Sequence, residues 1–239
     1  MKKLFDRCKK ADNTVYVVSG LPRSGTAMMM QLLEAGGLSP LTDNERTADG
    51  DNRKGYYEFA PVKHLPEGNV AWVAEARGKV VKVISHLLPY LPADYTYKVV
   101  FMCRAMPEIL ASQRTMLIDR GKDPHKISDE KLAALYEKHL VDVFDWLKAQ
   151  HNFSVLQVDY NQMLTAPAGI LPHINAFLGH TLDLHNMAEV IDPNLYCQRT
   201  KSRDRLGATH AGDRDNPGGG ADLEACGRSQ TPWQARDRE

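Results

Sequence analysis

The stretch Thr14-Val-Tyr-Val-Val-Ser-Gly-Leu-Pro-Arg-Ser-Gly-Thr26 decides the fold. Its opening, Thr14 to Ser19, is a short β-branched run that stops at Gly20, the pattern of a buried strand. Residues Thr26 to Ala35 then carry helix-forming side chains and meet Gly36-Gly37, a helix stop. The residues between, Gly20 to Gly25, link a strand to a helix N-terminus. Successive backbone N–H groups in such a turn form a concave anion site, and the helix end adds partial positive charge. Gly20 and Gly25 permit unusual dihedrals and close approach of an anion. Arg23 offers a planar fork for two oxygens of a phosphate or sulfate, and Ser24 and Thr26 add hydroxyls. The competing reading is a glycine-containing turn with an exposed arginine.

The loop differs from the NTP-hydrolysing phosphate loop G-x-x-x-x-G-K-[ST]. Gly20 and Gly25 keep its glycine spacing, but Thr26 stands at the Lys position and Ala27 at the Ser/Thr position. Transfer from MgATP relies on both of those side chains, so a kinase or ATPase is disfavoured.

Outward from this loop, strand and helix patterns alternate. Lys79–Ser85, Tyr97–Cys103 and Phe153–Val158 read as strands. Pro107 suits the first turn of a helix reaching Asp119. Asp129 to Gln150 is the strongest helical pattern: Leu132, Leu135, Tyr136, Leu140, Val143, Phe144 and Leu147 recur at three-and-four spacing behind Ser128, a plausible N-cap. Helices are expected at Ala166–Leu178 and Asp183–Val190, and a long loop at Leu41–Pro66. Short apolar strands separated by helices imply an α/β fold, three layers α/β/α with a mainly parallel sheet, of the P-loop NTPase-like kind. Met28-Met29-Met30 follows the anion loop on a helix and is expected to fill core gaps.

The chain has 239 residues, 30 Lys plus Arg against 30 Asp plus Glu, and 43% apolar residues, a globular composition. Zero net charge argues against a general nucleic-acid binder while leaving room for a local anion site. No run approaches a membrane span. Met1 to Lys10 is basic without a long apolar stretch, so a signal peptide is not expected. Four widely spaced cysteines, Cys8, Cys103, Cys197 and Cys226, fit a reducing cytoplasm and carry no zinc signature, so no metal site is expected. Residues 201–239, rich in glycine and alternating charge, are expected to be a disordered tail behind a folded unit of residues 1–200.

On these residues the sequence resembles the sulfotransferase family, whose members use 3'-phosphoadenosine-5'-phosphosulfate (PAPS). Gly20-Leu-Pro-Arg-Ser-Gly-Thr26 resembles the family's 5'-phosphosulfate loop; Arg23 stands where many members have Lys and where the tyrosine-modifying branch and many bacterial members have Arg. The resemblance assigns Pro22, Arg23, Ser24, Gly25 and Thr26 to that loop. A second match is Arg104, ending the third strand, with Ser112 eight residues on; in the family this pair holds the 3'-phosphate. A strand's carboxyl end is where ligands of open α/β sheets lie. Val158-Asp159-Tyr160-Asn161 resembles a family strand end carrying Tyr-Glu, with Asn161 in place of Glu; Asp159 and Tyr160 read equally well as structural anchors. Asn52-Arg-Lys-Gly-Tyr-Tyr-Glu58 resembles a bacterial-branch segment in which Pro is usual at position 53. The Arg-Lys-Gly segment with which larger cytosolic members close the cofactor site has no clear counterpart in Arg199 to Arg205, although Arg199, Lys201 and Arg203 supply charge.

The resemblance implies transfer of a sulfuryl group from PAPS to an unidentified hydroxyl or amine acceptor, without metal. Fixed donors and cations at the leaving oxygen would stabilise the transition state, with Arg23, Ser24, the Gly25 and Thr26 amides and Lys82 as candidates. The acceptor must lose a proton. His86, in a segment resembling the family's Lys-Thr-His-Leu-Pro region with two extra residues, is one candidate base. Glu58, beside Tyr56 and Tyr57 where burial could raise its pKa, is another. Glu45 aligns loosely with a glutamate of the tyrosine-modifying branch, and His64 has no motif support. The alternatives are a P-loop nucleotide-dependent kinase and a catalytically inactive nucleotide-binding protein.

Overall fold

The computed structural model describes residues 13–43 and 57–191. Its frame is a four-stranded sheet in the order β2-β1-β3-β4 with every pair parallel. The strands are β1 (Thr14–Gly20), β2 (Val80–Lys82), β3 (Thr96–Cys103) and β4 (Phe153–Asp159). The long pairing is between β1 and β3, running from Thr14 opposite Thr96 to Gly20 opposite Met102.

Strand side chains alternate faces, and each face has its own core. Val15, Val17, Tyr97, Val99 and Phe101 point to one side, where they meet Val143 and Leu147 of α3 (Asp129–Ala149) and Leu65, Trp72 and Leu88 of three 3-10 segments. Tyr97 stacks on Phe153 with ring centres 4.6 Å apart. Val18, Val100, Met102 and Val158 point to the other side. There they pack on Met29, Met30 and Leu33 of α1 (Thr26–Ala35), Met163 of α4 (Tyr160–Thr165), Ile174 and Leu178 of α5 (Pro167–Leu178), and Met187 of α6 (Leu184–Glu189). Each such fully buried side chain contributes about 1.5–3 kcal/mol. Met29 and Met30 are core residues, as expected of gap-filling methionines.

The two covered faces complete the three-layer α/β/α arrangement. The chain leaves β1 through α1 and returns as β2 on one side of β1. It leaves β3 through α2 (Met106–Asp119) and α3 and returns as β4 on the other side. The outgoing connections therefore diverge at the β1/β3 pair, and α1 and α3 lie on opposite faces. A crevice opens at the carboxyl ends of two strands that part in this way. The residues that follow these strands, Leu21 to Gly25 and Arg104, fall at its mouth.

Local signals explain most element ends. Ser128 caps α3 by accepting from the Lys131 amide, and Pro107 sits in the first turn of α2. Several expectations need correction. The region 41–66 is not one loop: Ala60–Glu67 is a 3-10 helix with Pro61 in its first turn, while 44–56 lie outside the described residues. The second strand is Val80–Lys82 alone, because Ser85–Tyr90 turns into a 3-10 helix ahead of Pro92. The helix expected at Ala166–Leu178 is α5, but the short α4 ahead of it was not expected; α4 starts where Asp159 accepts from the Gln162 amide. The apolar stripe of α3 packs as its spacing implies except at Leu135, which is 51% exposed. The expected tail 201–239, with Arg199, lies outside the described residues, as do Glu45, Asn52 to Gly55 and the basic segment 1–10. Among the described residues no helix is long and apolar enough to cross a membrane.

Candidate functional site

The β1–α1 loop is shaped by backbone conformations that few residues tolerate. Gly20 (φ 146°) and Gly25 (φ 99°) flank it. A Cβ on Gly20 would lie 2.7 Å from the Met102 carbonyl oxygen, and one on Gly25 would run into the Tyr160 ring. Only glycine fits both the dihedral and the space. Between them, Arg23 is also left-handed (φ 69°), a strained state for a long side chain. Such strain persists only where neighbours over-determine it. The Ser24 amide and hydroxyl both donate to the Leu21 carbonyl, at 3.2 and 2.7 Å. Ser24 thus spends its hydroxyl within the loop, whereas the sequence reading offered it to a ligand.

From the opposite strand, Arg104 reaches across and donates through Nη1 to the Arg23 carbonyl at 3.1 Å. Its Nε donates to Glu108 at 2.9 Å, and its guanidinium lies over the Tyr160 ring, 4.3 Å from the centre. Arg104 and Glu108 are 7% and 2% exposed. The spacing of four residues, with Arg104 just before α2 and Glu108 in its first turn, brings the two together. Asn161 Nδ2 donates to the other Glu108 oxygen at 3.2 Å. An amide can serve there, where a carboxylate would repel Glu108. Arg23 turns its Nε onto Ser112 Oγ at 2.8 Å. The two halves of the sequence reading, the Arg23 loop and the Arg104–Ser112 pair, therefore form one connected cluster. A small cleft beside it is lined by Leu21, Ser24, Cys103, Arg104, Ile109 and Leu140.

A second group lies after β2. Ser85 is 1% exposed, and its hydroxyl is 2.8 Å from His139 Nε2 on α3. His86 is the next residue of the same turn. Burial holds His86 below its ordinary pKa. Burial also lowers His139, and nearby His86 adds to the effect while Asp142 opposes it. Lys82, at the end of β2, is half-buried.

The third group is Glu58. Its carboxylate pairs with Lys63 at 3.0 Å. Its carbonyl accepts from the Thr42 hydroxyl at 2.8 Å and the Asp43 amide at 3.3 Å, which joins residues 41–43 to 57–60. Tyr57 (φ 50°) is tied through its hydroxyl to Glu34 of α1, and burial raises its pKa. His64 sits apart, paired with Glu67 at 2.8 Å.

Glu108, Ser85 and His139 escaped the sequence reading. For Glu108 the signal was the four-residue spacing from Arg104. For His139 it was a polar residue in the stripe Tyr136, Val143 and Leu147, at a position whose neighbours face the sheet.

A family model described as "Sulfotransferase domain" matches residues 13–218. A search of curated protein sequences finds no match. Among solved structures, the chain is similar to the sulfotransferase domain of the Synechococcus PCC 7002 olefin synthase, with 19% identity and a TM-score of 0.46, covering 81% of this chain and 86% of that one. It is also similar to the sulfotransferase STF1 of Mycobacterium tuberculosis H37Rv, with 16% identity and a TM-score of 0.42, covering 74% of each chain. A third is a retinol dehydratase solved with androsterone and the inactive cofactor PAP, with 15% identity and a TM-score of 0.42, covering 74% of this chain and 62% of that one.

Proposed function

Because the chain belongs to the sulfotransferase family, we propose that it moves a sulfuryl group from PAPS to a hydroxyl or amine acceptor. The observation that carries this reading is the Arg23–Ser112–Arg104 cluster at the β1/β3 crevice, beside a glycine-flanked loop that opens a helix. A helix leaves its first amides without intrahelical acceptors, which suits an anion at the Gly25–Thr26 end.

The residues fit such a donor. In this reading Pro22, Arg23, Gly25 and Thr26 hold the 5'-phosphosulfate, and Ser24 shapes the loop through its two bonds to the Leu21 carbonyl. Arg104 and Ser112 hold the 3'-phosphate. A guanidinium has five N–H donors. Of those, Arg104 places one on Glu108 and one on Arg23, and Arg23 places one on Ser112. The remaining donors are available to phosphate and sulfate oxygens.

PAPS, when bound, supplies an activated sulfuryl group whose leaving oxygen gains negative charge as the bond to sulfur breaks. Arg23 and the amides of Gly25 and Thr26 stabilise that charge from fixed positions. Lys82 supports the same role from the neighbouring strand. The base takes the acceptor's proton as the new O–S or N–S bond forms. His86 suits this task better than Glu58: partial burial lowers its pKa and favours the neutral imidazole, whereas the Glu58 carboxylate is already paired with Lys63.

The test is release of adenosine 3',5'-bisphosphate from PAPS in the presence of pooled alcohols, phenols and amines. Acceptor-dependent release supports the reading. Release of ADP from MgATP, with none from PAPS, would replace it with a kinase.

A further inference from the structure

Ser85, His86 and His139 form a cluster that the anion loop does not account for. Ser85 is buried, and its hydrogen bond to His139 Nε2 joins the turn after β2 to the middle of α3. The next residue of α3, Leu140, lines the cleft shared with Ser24 and Arg104. The cluster therefore lies along the same carboxyl edge of the sheet as the proposed transfer site.

We propose that His139 is a positioning residue for sulfuryl transfer, acting through Ser85 and on His86, which receives the acceptor's proton. This rests on the sulfotransferase reading above. The balance is simple. The acceptor's O–H or N–H proton passes to His86, the acceptor atom bonds to sulfur, and the bond from sulfur to the bridging oxygen breaks to release adenosine 3',5'-bisphosphate.

His139 does two things in this scheme. Its bond to Ser85 fixes the first residue of the 3-10 turn, so the imidazole of His86 is presented from an anchored backbone. Its own imidazole is held low chiefly by burial, and charge on His86 adds to that effect. Protonating either ring makes protonation of the other harder, which favours a neutral base. The charged groups on the packed elements do not cancel this coupling. On α3, Asp142 favours charge on His139 but is itself joined to Lys138 at 2.6 Å. Tyr136, one turn earlier, is raised by burial and stays neutral. On the 3-10 helix Ala60–Glu67, Lys63 is paired with Glu58, and His64 with Glu67. Lys82, which has an interaction of its own, precedes the turn on β2.

The experiment follows the imidazole signals of His86 by NMR titration, assigned with His86→Gln, in the full chain and in His139→Gln and His139→Ala. Glutamine keeps an amide donor near Ser85 and removes the titrating ring. The proposal predicts that His86 titrates higher in His139→Gln, with the acid limb of kcat/KM moving the same way. In His139→Ala the anchoring is lost as well, and kcat should fall about tenfold or more below that of His139→Gln. An unmoved His86 midpoint in His139→Gln overturns the proposal, as does equal activity of the two variants. Adenosine 3',5'-bisphosphate is added in a separate arm. If it fails to stabilise the unmodified protein, the donor reading falls, while the titration still decides whether the two imidazoles are coupled.

Discussion

Glu108 puts a buried negative charge at the centre of a site proposed to hold anions, and its partners explain why it stays. Arg104 and Asn161 occupy its two oxygens. It neutralises Arg104 and aims that guanidinium at the Arg23 carbonyl, which holds the strained loop. Removing one member of a buried pair strands the other charge, at about 3–5 kcal/mol. Glu108→Ala should therefore lose about 3 kcal/mol in urea denaturation, whereas Lys138→Ala, breaking an exposed pair, should lose under about 1 kcal/mol. Gly25→Ala combines an unfavourable dihedral with a collision against Tyr160. It should lower stability by about 1–3 kcal/mol. His86 and His139 set a pH dependence at the same scale. Both are held below the ordinary histidine value by burial, so the folded chain binds fewer protons than the unfolded one. Their contribution is complete above about pH 6.5 and is lost as the pH falls through the folded values. The melting temperature should decline from about pH 6.5 downward, and less steeply in a His86→Gln, His139→Gln double variant.

Among the elements, the segment easiest to read is the one that carries the loop of the proposed site. The run from Thr14 to Ala35 announced a strand, a turn and a helix, and α1 spans Thr26–Ala35 as expected. The turn was legible because glycines at 20 and 25 have backbone requirements that leave a trace in sequence. Ser128 was legible as a cap for the same local reason, and Ser128→Ala should cost about 1 kcal/mol, read as a lowered denaturation midpoint. Less legible were features set by packing at a distance. The bond from Arg23 to Ser112 spans 89 positions. That from Ser85 to His139 spans 54. No periodicity reports such pairs. The stripe of α3 held apart from one member: Val143 and Leu147 are buried against the sheet, with Leu140 and Phe144 packed beside them, whereas Leu135 fits the spacing but faces outward. The short 3-10 helices and α4 carry too few residues for a periodic signal, and prolines in two of the former and beside α4 broke the pattern further.

For the whole molecule, strand order turns two loops far apart in sequence into one site. Because β1 and β3 are neighbours and their connections diverge, the residues after each strand share a single mouth. Arg23 and Arg104 meet there, a pairing that a net charge of zero does not reveal. The central claim, that this site binds a nucleotide carrying phosphates at both its 3' and 5' ends, is tested most directly by thermal shift with adenosine 3',5'-bisphosphate. The comparison is the unmodified chain against Arg23→Asn, a residue that tolerates the left-handed backbone but lacks the guanidinium. At about 100 times its dissociation constant the ligand should add about 2.7 kcal/mol to the stability of the unmodified chain. Arg23→Asn should lose most of that gain. Stabilisation by MgATP with none from adenosine 3',5'-bisphosphate, or an equal shift in both proteins, would contradict the account.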